Sequence, residues 1–83
     1  MHKLPAIITL NHIASQLPSL KKLLKKDVLV EFDLSEVKHI DSAGIAMLLE
    51  LRNIAFQLQC QLKFINSNNV IERLSKLYKV ELT

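Results

Sequence analysis

Two hydrophobic periods alternate along the chain. Ala6-Ile7-Ile8-Thr9-Leu10 is a short β-branched run and predicts a strand, with Asn11 to Gln16 as the connection after it. Pro18 suits the first turn of a helix that reaches about Lys26 and turns Leu20, Leu23 and Leu24 inward. Val28 to Asp33 alternates, with Val28, Val30 and Phe32 on one side, and predicts the central strand. Val37-Lys38-His39-Ile40 then leads into Asp41-Ser42-Ala43-Gly44, from which helical spacing runs to about Gln59, the longest element. Leu62 to Ile65 predicts a further strand. Asn69 followed by Glu72 has the spacing of an N-cap box and opens a last helix with Ile71, Leu74, Leu77 and Tyr78 inward. Val80-Glu81-Leu82 predicts a short final strand.

This order implies an α/β fold in one domain over residues 1–83, with mainly parallel strand neighbours and helices covering the sheet. On the long helix, Ala46, Glu50, Asn53 and Gln57 form a polar face opposite a core stripe of Gly44, Leu48, Leu51, Ala55 and Leu58. Ile45, Leu49 and Phe56 flank the stripe on one side and Met47 and Ile54 on the other, so the apolar arc covers about 220°, wider than a surface helix needs. Part of that arc is expected to face a partner.

The composition adds boundaries. With 49% hydrophobic residues, one Gly and two Pro, the chain spends its residues on a core. At this length only about 60% of the unfolded surface is buried, so stability is modest. A lone Cys60 cannot close an intramolecular disulfide, and Met1-His2-Lys3 leads into no signal-peptide pattern, which points to a reducing cytoplasm. The uncharged stretch Leu4 to Leu20 carries Asn11, His12, Ser15, Gln16 and both prolines, so it is no spanning helix, and any meeting with a membrane is expected through a partner rather than by insertion. The net charge of +3 draws on Lys21, Lys22, Lys25 and Lys26, read as a solvated helix face. With only Arg52 and Arg73, no Trp and one Tyr, no nucleic-acid surface is expected.

Candidate chemistry is sparse. Ser42 has no identifiable base beyond the nearby His39 and Asp41, and no G-x-S-x-G elbow is present. His2, His12 and His39 are far apart and Cys60 is alone, so no metal-chelating pair exists, and a single Gly44 leaves no phosphate loop. No catalytic residue, cofactor or metal is therefore assigned. Asp33 reads as a polar strand end, Asp41 as a helix cap, Cys60 as a helix-end or core thiol and His39 as a solvated loop residue. The chain reads as a binding module rather than an enzyme.

Asp or Ser immediately before an apolar-periodic run caps a helix by accepting from its free N–H groups. Gly44 needs a further reason, because glycine costs about 1 kcal/mol inside a helix and is kept where backbone or partner comes close. The small residues leave the helix N-terminus uncovered, where a phosphate on Ser42 would be tolerated while adding about −2 charge. Ser42 is thus either a phosphoacceptor that switches a complex or an unmodified contact.

The run from Phe32 through Asp33-Leu34-Ser35 and Asp41-Ser42-Ala43-Gly44 to Leu49 resembles the signature of STAS domains, the family of sulfate-transporter tails and anti-sigma-factor antagonists. Within it, Ala46-Met47-Leu48-Leu49-Glu50-Leu51 and Leu74-Ser75-Lys76-Leu77-Tyr78 are similar to the MlaB group, the small soluble subunits of a bacterial inner-membrane phospholipid ABC transporter, which usually carry threonine at the Ser42 position. The resemblance implies a STAS-like mixed sheet of four to five strands with three to four helices. It implies a peripheral place on the cytoplasmic face of the inner membrane and binding to the transporter's ATPase, and through it the permease. The contact would involve Asp41, Ser42, Ala43, Gly44, Ile45 and Leu49. The anti-sigma-antagonist branch implies instead a serine kinase or anti-sigma factor as partner, with Ser42 phosphorylated. A wide apolar helix face also makes a homodimer an expectation for the isolated chain. The N-terminus departs from the family pattern, with room for one strand before the first helix where two are usual, so the sheet is expected to be a strand short.

Overall fold

A computed structural model describes residues 1–82. Eight elements follow in order: β1 (His2–Lys3), β2 (Ile7–Ile8), α1 (Leu10–Lys21), β3 (Leu29–Asp33), β4 (His39–Ile40), α2 (Ser42–Leu58), β5 (Gln61–Ile65) and α3 (Asn69–Leu77). β3 is central in a three-stranded sheet of order β1-β3-β5, and β2 and β4 form a two-stranded sheet beside it. All three pairings are parallel, so the expected mixing of strand directions is absent among the described residues. Parallel neighbours require a crossover, and α2 supplies the one between β3 and β5.

The N-terminus corrects the expectation of a missing strand. Two very short strands precede the first helix, one in each sheet. The segment read as a connection, Asn11 to Gln16, is helical, and the helix ends at Lys21 rather than near Lys26. The reason lies in the spacing of Ile13, Leu17 and Leu20, which places all three against the core as one stripe, with Leu24 buried just past the helix end. Pro18 lies inside this helix instead of opening it, and leaves the Ala14 carbonyl without its helical donor near the C-terminal end. Lys22, Lys25 and Lys26 follow the helix as solvent-exposed residues of a turn and loop.

The core is built as the alternation of β3 requires. Val30 and Phe32 are buried on the same face of β3, and Phe32 tilts against Phe64 in the register-matched position of β5. Val28 falls outside the strand and is exposed. On α2, Gly44, Leu48, Leu51 and Ala55 are buried as the helical period predicts, whereas Leu58 emerges into solvent. The flanking residues Ile45 and Met47 are also buried, because α1 and α3 both pack on this helix. The wide apolar arc is thus consumed largely by the chain itself, and Phe56, at 83% exposure, is its main unburied member.

α3 starts at Asn69, and its cap is Asn68, one residue before the predicted one. Asn68 accepts from the Ile71 N–H at 3.1 Å, and its amide group donates to the carbonyls of Val37 and Leu34 at 2.8 and 3.2 Å, tying the helix to the β3–β4 connection. Ile71 is buried and Leu74 half-buried, but Leu77 and Tyr78 face solvent, contrary to the inward reading. Residues 80–82 form no strand, although Leu82 is buried.

Candidate functional site

The entrance to α2 is fixed by one carboxylate. Asp41 Oδ1 accepts the Gly44 N–H at 2.9 Å and caps its own helix, while Oδ2 accepts the Leu10 N–H at 3.0 Å at the start of α1. Thr9, the residue at the N-cap of α1, supplies no side-chain cap and instead lies 3.0 Å from the His12 ring. Asp41 therefore serves the donors of two helix N-termini, where a negative charge is also favoured by both helix dipoles. The N–H groups of Leu10 and Gly44, in that order, hold its carboxyl below the usual 3.8, against an opposing effect of burial.

Gly44 has a steric reason. A Cβ there would come within 2.2 Å of the Ile8 carbonyl oxygen and 2.6 Å of Ile40 Cγ1, so only glycine lets the first turn of α2 rest on β2 and β4. The close approach anticipated from the sequence is thus to this chain's own backbone. With Asp41 pinning the helix end and Gly44 seating it, Ser42 stands on a rigid base.

Ser42 is the first residue of α2 and is exposed. Its hydroxyl makes no hydrogen bond among the described residues. Ala43 and Leu49 are half-buried, Leu49 packing against the core. Gly44 and Ile45 are buried, Ile45 at 3% exposure, because their side of the helix faces the sheet. Of the six residues expected at a contact, these two are buried within the chain and lie beneath the surface that Ser42 tops. Leu10, read from the sequence as the end of a strand, is 70% exposed and is brought beside Asp41 by its own N–H. No local signal marks it, since the bond spans 31 residues.

Asp33 is buried where β3 ends, and its Oδ1 accepts the Ser35 N–H at 2.8 Å, the leading reason its carboxyl lies below 3.8. Cys60 is a core thiol whose Sγ donates to the Val28 carbonyl at 3.2 Å. His39 is exposed on β4 rather than in a loop. Among the described residues no three His, Cys, Asp or Glu side chains converge as metal ligands, and no helix is long and apolar enough to cross a membrane. The site offers a pre-shaped surface with a free hydroxyl, suited to recognition.

Comparison with known families bears on what that surface recognises. A family model described as "Mlab, STAS domain" matches residues 6–81, nearly the whole chain, including both short strands of the second sheet and the capped entrance of α2. No curated protein matches the sequence. The family match agrees with the resemblance read from Phe32 to Leu49 and extends it through the N-terminal segment that the sequence pattern left poorly placed.

Proposed function

The chain belongs to the STAS domain family, close to MlaB, and from that premise we propose that it binds the ATPase of an MlaB-like phospholipid ABC transporter as an accessory subunit. STAS domains act as regulatory or accessory interaction modules and are generally non-catalytic. The observation that carries the finer reading is Ser42, exposed with an unengaged hydroxyl on a helix end that Asp41 and Gly44 hold in place. A rigid surface loses little conformational freedom on docking, which favours a constitutive complex. In this reading Ser42, Ala43 and Leu49 meet the ATPase, Leu10 borders them, and the ATPase holds the chain at the cytoplasmic face of the inner membrane.

The second reading is a regulator switched by phosphorylation of Ser42. The same exposure at the first residue of α2 favours it, because a phosphate there would meet the positive end of the helix dipole. The two readings separate in a binding titration against the purified ATPase. The transporter reading expects Ser42→Thr to bind as the parent does and Ser42→Glu to bind far more weakly, since a carboxylate desolvated without a cation is costly. Equal affinity of the parent and Ser42→Glu would remove this surface from the contact.

A further inference from the structure

β5 is an edge strand with one side unpaired. Its Gln61 N–H donates to the Val28 carbonyl at 3.0 Å, and its Ile65 carbonyl accepts from Leu34 at 2.9 Å. A parallel ladder turns alternate residues toward the partner strand, so residues 61, 63 and 65 serve β3. The N–H and C=O of Leu62 and Phe64 therefore point to the other side, where no strand pairs with β5 among the described residues. Unpaired edges of this kind are templates for a further strand.

A groove of about 330 Å³ adjoins that edge, lined by Arg52, Ala55 and Phe56 of α2 and by Cys60, Leu62 and Lys63. Its apolar lining includes Phe56, the most exposed large hydrophobic residue. Two cations, Arg52 and Lys63, stand in its lining, and among the described residues no carboxylate does. Arg52 is oriented by donating to the Glu81 carbonyl. Glu31 lies opposite Lys63 in the β3–β5 register, yet they form no ion pair, the one found among the described residues joining Lys3 to Glu36.

We infer that the open edge of β5 and its flanking groove take an extended apolar and acidic segment of a partner protein as an added strand. Backbone pairing to Leu62 and Phe64 supplies the docking geometry, Phe56 and the groove floor take an apolar side chain, and Arg52 and Lys63 select carboxylates. A second copy of this chain is a poor occupant. Pairing β5 with itself about a twofold axis centred on the strand sets Lys63 opposite Lys63, a destabilising like-charge pair. This surface is distinct from the one at Ser42, since Phe56 lies about 21 Å further along α2.

The test uses the isotope-labelled full chain and a short capped peptide of alternating valine and glutamate, with a valine and lysine peptide as comparison. The expected result is amide shifts and slowed hydrogen exchange centred on Leu62 and Phe64, with the lysine peptide at least about tenfold weaker. Reversing the groove charges with Arg52→Glu and Lys63→Glu is expected to reverse that preference, while Ser42→Glu leaves peptide binding unchanged. Shifts located elsewhere, no shifts, or equal affinity for both peptides would overturn the inference. So would a concentration-dependent dimer that protects the same two amides, which would make a second copy the occupant.

Discussion

Asp41 accepts the backbone N–H of Leu10 at 3.0 Å, joining the start of α1 to the entrance of α2. The same carboxylate accepts from Gly44 at 2.9 Å. Removing it orphans two helical donors at once, and each lost cap typically costs about 1 kcal/mol. Asp41→Ala is expected to lower stability by about 2 kcal/mol in urea denaturation, roughly twice the effect of losing a single cap. A loss under about 0.5 kcal/mol would show that the two helix ends are satisfied without it.

The acid dependence of stability follows from the same bonds. Asp41 and Asp33 are both held below the ordinary 3.8 by backbone N–H donors, from Leu10 and Ser35 respectively. A carboxyl whose folded value is depressed contributes stability that is complete above its unfolded value and is lost as pH falls through the folded one. Stability is therefore expected to fall below about pH 4. Asp41→Asn is expected to flatten that limb while lowering stability at neutral pH, as read by denaturation midpoints across pH. An unchanged acid slope in the variant would contradict the role given to this carboxylate.

Gly44→Ala places a Cβ against the Ile8 carbonyl, which is backbone and cannot rotate away. The helix end has to lift from β2 and β4, an overpacking expected to cost about 1 to 3 kcal/mol despite alanine's better helix propensity. Thermal unfolding of the variant checks it. Stabilisation, the usual result for glycine to alanine in a helix, would mean that the close approach is not maintained in solution.

The opposite sign is expected at the other end of α2. Gln59 ends the helix with φ 59° and ψ 38°, a left-handed conformation that favours glycine. Gln59→Gly is expected to stabilise the chain by about 0.5 to 1 kcal/mol, measured by the same unfolding transitions. A destabilised variant would show that the side chain contributes more than its backbone strain costs.

Much of this architecture was legible because local chemistry and global packing agree. The alternation of Val30 and Phe32 marked the central strand, and the period of Leu48, Leu51 and Ala55 marked α2 and its buried face. The reading failed where the deciding contact is remote. α1 begins at Leu10 because Asp41, far along the chain, supplies its cap, so no cap residue marks its start. Pro18 carries the local signal of a helix opener, which the packing of Ile13, Leu17 and Leu20 against the core overrides. At the candidate site, the cap and the need for Gly44 were readable, but not that Ile45 lies beneath the surface or that Leu10 adjoins it. Both depend on how α1 and the two short strands pack around α2.

The central claim is that the surface at Ser42 meets the ATPase of a phospholipid ABC transporter with its hydroxyl unmodified. The most direct measurement is affinity purification of the tagged chain from detergent-solubilised membranes of its host, with mass spectrometry of the co-purifying proteins and of the peptide containing Ser42. The account predicts recovery of an ABC ATPase together with its permease and an unmodified Ser42. A soluble serine kinase in their place, or a phosphate on Ser42, would contradict it and favour the regulatory switch.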